Sequence, residues 1–436
     1  MYEESCQERQ TEDWSFYMKV LVVGGGGREH AIIWKLSQSP RITKLYCAPG
    51  NGGIDSLAKC VDIKATNIEG ILDFAIEQQM DLTVVAPDDP LAMGLVDKLQ
   101  ENGLRAFGPT QKAAIIESSK VFAKELMKKY RIPTPEYQSF QKYDDAIAFL
   151  DEISFPVVIK ADGLALGKGV IIASSKEEAE KTLSDMLLDN KFGEAGKRVL
   201  IEEHITGPEV SILAFTDGKT VIPMVSSQDH KRAYDYDEGP NTGGMGAFSP
   251  SPHYTPEAAK YVEENIIVPT IRAMAEEDRP FQGVLYFGLM LTSSGPKVLE
   301  YNARFGDPEA QVILPRLQTD LLEIMEAIVD KKLDEMEIRW DERAAVCVVL
   351  ASGGYPGSYQ KGRPIKIKTG NPDCLLFHAG THKTEQGFVT NGGRVMGITA
   401  LGKDLEDAVQ RVYNYVENVN FEGMHYRKDI GKKADS

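Results

Sequence analysis

Val298-Leu299-Glu300-Tyr301-Asn302-Ala303-Arg304-Phe305-Gly306-Asp307-Pro308-Glu309-Ala310-Gln311 is the densest polar cluster in the chain, and it is entered from an apolar strand run. Successive strand side chains alternate between faces, so Glu300 and Asn302, two apart, project from one face. Two oxygen donors on one face suit Mg²⁺, which keeps several waters and takes its remaining oxygens from nucleotide phosphates. Arg304 continues the alternation, and its planar guanidinium can reach a transferring phosphoryl group. A polar strand edge is an adequate reading for any one of these residues. It is inadequate for seven polar groups within a dozen positions.

Toward the N-terminus, Ile159-Lys160-Ala161-Asp162-Gly163-Leu164-Ala165-Leu166-Gly167-Lys168-Gly169-Val170 lies between two strand runs rather than ahead of a helix. Lys168 is followed by Gly169, so GxxxxGK[ST] is absent and this is not a Walker loop. A flexible glycine hairpin with two lysines can close over nucleotide phosphates, with Lys160 fixed on its strand. A bland hairpin seldom needs three glycines and two lysines, which favours the phosphate reading. Glu202-Glu203-His204-Ile205 ends another apolar run, and Glu209 follows Gly207-Pro208. There the backbone can meet an adenine edge and Glu209 can accept from a ribose; a solvated strand end is the alternative.

Gly24-Gly25-Gly26-Gly27-Arg28-Glu29-His30 sits between a strand run and a helical pattern, where backbone N–H groups can cradle a phosphate. A dinucleotide fingerprint needs a third glycine where Glu29 stands, and no acid closes the second strand, which weakens an NAD reading. A tight strand–helix turn without a ligand is an equal alternative. Residues 226–232 and 239–246 form a long, polar, glycine-rich stretch suited to a mobile binding loop or an ordinary surface loop. Its lone His230 reads as a structural or phosphate-contacting group rather than a base.

At 436 residues the chain is long enough for about three domains. A formal net charge of -16 argues against a nucleic-acid or anionic-membrane surface, while leaving room for a local basic cleft. Its apolar runs fall far short of the roughly 18 residues of a membrane span. The acidic N-terminus has no apolar core of a secretory signal. Five scattered cysteines (Cys6, Cys47, Cys60, Cys347, Cys374) without CxxC spacing read as buried free thiols of a reducing cytoplasm.

Residues 1–17 lack periodicity and are expected to be disordered. From Met18, strand runs at 19–23, 44–48 and 82–86 with helical patterns between them predict a parallel α/β domain over 18–120. Ser118 and Ser119 can cap a helix carrying Phe122, Leu126 and Tyr130, ended by Pro133 and Pro135. Strands are expected at 157–160, 170–173 and 199–203, with an acidic helix before the last of these. After a mixed region to about 340, strands at 344–351 and 375–379, a hairpin at Asn391-Gly392 and a helix at 405–416 follow.

In order, these pieces resemble the ATP-grasp superfamily, and within it the phosphoribosylamine–glycine ligase (glycinamide ribonucleotide synthetase) family. The resemblance runs from about Met18 to Gly431, and its most specific element is Arg304-Phe-Gly-Asp-Pro-Glu-Ala-Gln311. Supporting pieces are Gly26-Gly-Arg-Glu-His30, Ala48-Pro-Gly-Asn51, Lys160-Ala-Asp-Gly-Leu164, Gln228-Asp-His-Lys-Arg232, Asn241-Thr-Gly-Gly-Met-Gly-Ala247 and Asn391-Gly-Gly-Arg394. The chain departs from the family at Ala86-Pro87-Asp88, where Gly-Pro-Glu is usual, and at Leu166, where alanine is usual.

The resemblance implies an α/β (α+β overall) architecture: an N-terminal parallel domain (18–120), a split ATP-grasp region (121–340, its small nucleotide-clasping part about 123–200) and a small β-rich C-terminal domain (341–431). It implies ATP-dependent ligation of glycine to 5-phosphoribosylamine through glycyl phosphate, with ATP and Mg²⁺ (or Mn²⁺) as cofactors. Lys120, Lys160, Gly163, Gly167, Lys168, Gly169, Glu202, Glu203, Ile205 and Glu209 would bind nucleotide, and Glu300 and Asn302 the metal. Arg304 and Asp307 would be catalytic. Gly26, Gly27, Arg28, Asp229, Lys231, Arg232, Asn241, Gly243, Gly244 and Glu309 would contact the other substrates. The expected partners are small molecules, with no nucleic acid and no membrane, in a cytoplasmic monomer. Against this stand another carboxylate–amine or carboxylate–carbonate ligase, an NAD oxidoreductase and a non-catalytic nucleotide sensor. The signature at 304–311 argues against the first, the missing glycine and acid against the second, and the intact Glu300, Asn302 and Arg304 set against the third.

Overall fold

The computed structural model describes residues 17–163, 169–189, 191, 193–368 and 373–432. Val20, Leu21, Val22 and Val23 are all fully buried, the pattern of a strand covered on both faces, and they form the centre of a parallel sheet. Its five strands run in the order Lys59–Cys60, Ile42–Pro49, Met18–Gly24, Leu82–Val85, Ala106–Phe107. The helix Gly27–Leu36 leaves the central strand through the glycine turn.

A four-stranded antiparallel sheet follows, ordered Tyr137–Phe140, Val199–Glu203, Val157–Ala161, Val170–Ala173, with the acidic helix Lys176–Leu187 packed on it. A second four-stranded sheet, ordered Val221–Pro223, Glu209–Asp217, Gln282–Thr292, Gly295–Asn302, shares its core with the N-terminal sheet: Ile212, Leu285 and Phe287 cluster with Leu21, Val23 and Val85. A bulge between Gly288 and Leu289 pairs those residues with Glu300 and Val298, so Leu299 is left out of the ladder. The last five-stranded sheet is antiparallel, ordered Gln228–Asp229, Gly246–Ser249, Ala344–Ala351, Arg394–Gly402, Cys374–His378, and the amphipathic helix Leu405–Val416 covers it. Two strands from the middle of the chain thus enter the C-terminal sheet.

The mixed α/β class with a parallel N-terminal sheet agrees with the sequence reading. Three local expectations are corrected. Asn391-Gly392 is no hairpin: the flanking strands Gly387–Thr390 and Arg394–Gly402 join different sheets, and the tight turn lies at 384–387, between Thr381–Thr384 and Gly387–Thr390. Ser118 ends the helix Gln111–Ser118, and Ser119 alone caps Lys120–Tyr130, accepting from Phe122 N at 3.1 Å. The strand stops at Asn302, so Arg304 leaves the alternation and is aimed by an ion pair instead. Cys47, Cys347 and Cys374 are buried free thiols, as expected, while Cys60 is a free thiol only half-buried; Cys6 lies outside the described residues, as do residues 1–16.

Candidate active site

The first antiparallel sheet meets the second where Lys160 Nζ donates to Leu299 O, the carbonyl released by the bulge, at 3.1 Å. Lys160 also pairs with Glu202 Oε2 at 3.0 Å, and Lys124 pairs with the same oxygen at 3.0 Å. Glu202 is buried, whereas Glu203, one residue on, points outward and pairs with Lys297 at 3.3 Å. Ile205 is half-buried just beyond that strand. Lys120, first residue of its helix, donates to Gly163 O at 2.8 Å, tying the helix to the glycine hairpin; burial lowers its ammonium pKa, against the opposing pull of Glu300. Asp162 strengthens that tie by accepting from Ser119 Oγ and Val121 N at 3.1 Å each and from Arg198. Gly169 O accepts from Ala161 N at 2.9 Å, closing the hairpin's base. Gly167, Lys168 and Leu166 lie outside the described residues.

Glu300 lies opposite this lysine pair. Burial pushes its carboxyl up, yet Lys231, Lys160, Lys120 and Arg304 outweigh burial and hold it below the ordinary value. Lys231 bridges Glu209 at 2.8 Å and Glu300 at 3.6 Å, and this acidic surrounding overcomes burial to hold its ammonium well above the usual lysine value. Asn302 Nδ2 donates to Tyr301 O at 2.9 Å, which leaves its oxygen as the end available to an ion. Among the described residues no three His, Cys, Asp or Glu side chains converge as a closed metal site. A hard-oxygen pair of this kind fits Mg²⁺, which completes its shell with phosphates and water.

Asp229 lies behind Lys231. Burial and the carboxylates of Glu309, Glu209 and Glu300 push it up to about 8, although Lys231 opposes them. Glu309 is raised by burial too, and accepts from Ser211 Oγ at 3.3 Å, itself 2.9 Å from Tyr286 OH. Arg304 is gripped by Glu117 at 2.9 Å, while its Nε is buried with no partner among the described residues.

Asp307 is held by Arg394 at 3.1 Å, Gln311 Nε2 at 2.8 Å and the Arg28 backbone N–H. These cations and donors outweigh burial and keep it below the usual carboxylate range. It therefore sits at the N-terminus of Gly27–Leu36, where the sequence suggested a phosphate. The neighbouring Gly26 N–H is taken by Glu29 Oε2 at 2.5 Å, and Arg28 is committed to Glu29 at 2.7 Å and to Phe305 O at 3.2 Å. The turn still lines an open cleft of about 470 Å³ with Pro49, Lys64, Thr66, Pro87 and Asp307. Gly27 is pressed against Gln311.

Arg394 NH1 also donates to Gly243 O at 2.6 Å and Asp307 O at 2.8 Å, which clasps the glycine loop to the 304–311 segment. Arg232 and Asn241 pair in a two-stranded ribbon, and the Arg232 guanidinium donates to Gly239 O in its turn at 2.7 Å. Sequence reasoning missed Glu117, Lys124, Ser211 and Tyr286 as neighbours of the site. Arg394 stood in a quoted motif but was given no role.

Three domain models of the phosphoribosylglycinamide synthetase family match in series: the N domain over residues 18–117, the ATP-grasp (A) domain over 118–310 and the C domain over 345–433. Phosphoribosylamine–glycine ligase of Halalkalibacterium halodurans is 51% identical over 418 residues, covering 96% of this chain and 97% of that protein. Its counterpart in Caldanaerobacter subterraneus subsp. tengcongensis is 51% identical over 413 residues, covering 95% and 99%. The crystal structure of phosphoribosylamine–glycine ligase from Thermotoga maritima superposes with a TM-score of 0.83 at 33% identity, covering 94% of this chain and 99% of that one. Biotin carboxylase of Campylobacter jejuni shares the fold alone, at a TM-score of 0.76 and 14% identity, covering 96% and 95%. The chain belongs to the phosphoribosylglycinamide synthetase family.

Proposed function

We propose that the chain joins glycine to 5-phosphoribosylamine with ATP, releasing glycinamide ribonucleotide, ADP and phosphate in purine biosynthesis. The observation that carries this reading is Glu300, paired with Lys231 at 3.6 Å and held below the ordinary carboxylate value by Lys231, Lys160, Lys120 and Arg304, in a chain of this family and with Asn302 two residues away. ATP-grasp ligases use ATP and divalent metal ions; Mg²⁺ or Mn²⁺ is the metal we assign to Glu300 and Asn302. Glu300 and Asn302 would hold the ion, which would supply neutralisation of the nucleotide phosphate charge.

A glycine carboxylate oxygen attacks the γ-phosphorus and ADP departs, leaving glycyl phosphate. The ribosylamine nitrogen then attacks the carbonyl carbon, phosphate leaves and the nitrogen loses a proton. No protein nucleophile is needed, so positioning and charge neutralisation are this chain's tasks. Lys120 and Lys160, with the 163–169 loop, hold the phosphates and adenine; Glu202, Glu203 and Ile205 flank the base, and Glu209 the ribose. Arg304, steadied by Glu117, meets the transferring group. Asp229, Lys231, Glu309 and the 241–246 loop form the glycine and amine side. Asp307 acts by fixing the glycine turn to the loop. Arg28 and Gly26 face the cleft assigned to the sugar phosphate, with Gly27 at its edge against Gln311.

The reacting groups lie where segments 18–120, 121–340 and 341–431 meet, in a monomer working in the cytoplasm. No helix among the described residues is long and apolar enough to cross a membrane. ADP release with freshly made phosphoribosylamine, omitting each substrate in turn, tests the reading. Turnover should require glycine, and turnover indifferent to glycine or sustained by bicarbonate refutes it.

A further inference from the structure

Lys124 has no role in the reading above, yet it is 2% exposed and its ammonium is fully engaged. It donates to Thr134 Oγ1 at 2.8 Å and Pro135 O at 3.3 Å and pairs with Glu202 Oε2 at 3.0 Å. Lys160 reaches the same Oε2 at 3.0 Å and Leu299 O at 3.1 Å, which leaves it one further proton. Glu202 Oε1 is buried with no partner among the described residues. A spare donor and a spare acceptor therefore stand side by side on the nucleotide face of the sheet.

We propose that Lys124 is a positioning residue: by holding Oε2 of Glu202 it fixes the carboxylate and leaves Oε1 and one Lys160 proton free for the nucleotide base. The inference rests on the nucleotide reading of Lys160 and Glu202. A buried carboxylate needs a paired cation, and Lys124 stays on Glu202 Oε2 at 3.0 Å although burial lowers its ammonium to about 8. Lys160 cannot serve alone, because any ligand that draws on its ammonium weakens the pair. Lys124 cannot follow a ligand: Thr134 is itself tied to Val298 O at 2.8 Å, and the Tyr137 ring lies 5.5 Å from the ammonium. A fixed Oε1 accepts from the exocyclic amino group of a 6-aminopurine and repels a 6-oxo group, whereas without Lys124 the carboxylate is held by Lys160 alone and is free to turn away from that group. Removing Lys124 therefore changes base choice as well as affinity, an effect that loosened packing does not produce.

The test measures kcat and KM for ATP and for inosine triphosphate in the full chain, with glycine and phosphoribosylamine saturating. Lys124→Met is expected to raise KM for ATP about tenfold, to change kcat by less than about threefold, and to cut the preference for ATP over inosine triphosphate about tenfold. Lys124→Arg, which keeps the charge, should hold that preference within about threefold of the parent. Thr134→Val removes one anchor and should shift the preference the same way but less; it decides the matter if Lys124→Met does not fold. An unchanged preference in Lys124→Met, or in Thr134→Val where that variant decides, overturns the proposal. So does an equal loss in Lys124→Arg and Lys124→Met. Lys160→Met separates the two levels: a normal KM for ATP there refutes the nucleotide reading itself, and a raised KM beside an unmoved Lys124→Met preference refutes only the role of Lys124.

Discussion

At the scale of single residues, Glu300 owes its character to four cations. Burial alone would favour its neutral form, and Lys231, Lys160, Lys120 and Arg304 reverse that preference. Its charge is thus available to an ion over the working pH range. Glu300→Gln keeps the shape and removes the charge, so kcat should fall about 100-fold or more while an ATP analogue still binds, more weakly. Steady-state rates beside calorimetric titration of the analogue check this; near-normal turnover refutes the metal role. Glu300, Asn302 and Lys231 were legible because short-range alternation and dense polarity mark them. Glu117 and Lys124 were not, since only the folded chain shows that Arg304 and Glu202 lie opposite them.

Secondary-structure elements were read well where periodicity is local. Val199–Glu203, Ala344–Ala351 and Leu405–Val416 have the bounds expected from sequence. Asn391-Gly392 misled because turn chemistry says nothing about which sheet the next strand joins. The glycine turn at 24–27 was legible as an anion site, but the anions it meets here are the chain's own Asp307 and Glu29, which are 280 and 2 residues beyond Gly27 in sequence. The 241–246 loop shows the same dependence on distant partners. Gly244 has φ +112°, and a Cβ there would lie 2.5 Å from Pro308 Cδ. Gly244→Ala should therefore cost about 1–3 kcal/mol of backbone strain and displace the loop from Asp307. The expected signature is a raised KM for glycine or phosphoribosylamine with KM for ATP nearly unchanged. An equal rise for all three substrates would sink this assignment of the loop.

On the scale of the whole molecule, the C-terminal sheet is joined to the N-terminal helix through two buried histidines. His378 N donates to His30 Nδ1 at 2.9 Å, and His378 Nδ1 lies 3.1 Å from Thr381 Oγ1, while Asn51 Nδ2 donates to His378 O at 2.8 Å. Burial, reinforced by His378, lowers His30 to about 3, and burial lowers His378 to about 4. Both are therefore neutral in the fold, as the accepted hydrogen bond at His30 Nδ1 requires. Unfolded histidine titrates near 6.5, so below that pH the unfolded chain binds protons that the folded chain refuses. Their contribution to stability is complete above about pH 6.5 and is lost progressively as pH falls toward 4 and 3. At pH 5 each histidine costs about 2 kcal/mol relative to pH 7, which should lower Tm by a few degrees in a chain of this size. His30→Asn offers a neutral oxygen acceptor in place of Nδ1 and removes one titrating group. Whatever its Tm at pH 7, the drop in Tm from pH 7 to pH 5 should be smaller than in the parent, by roughly 2–4 °C. Melting curves across that range decide it: if both proteins lose the same number of degrees, acid acts elsewhere and the histidine joint does not set the acid limit of the fold.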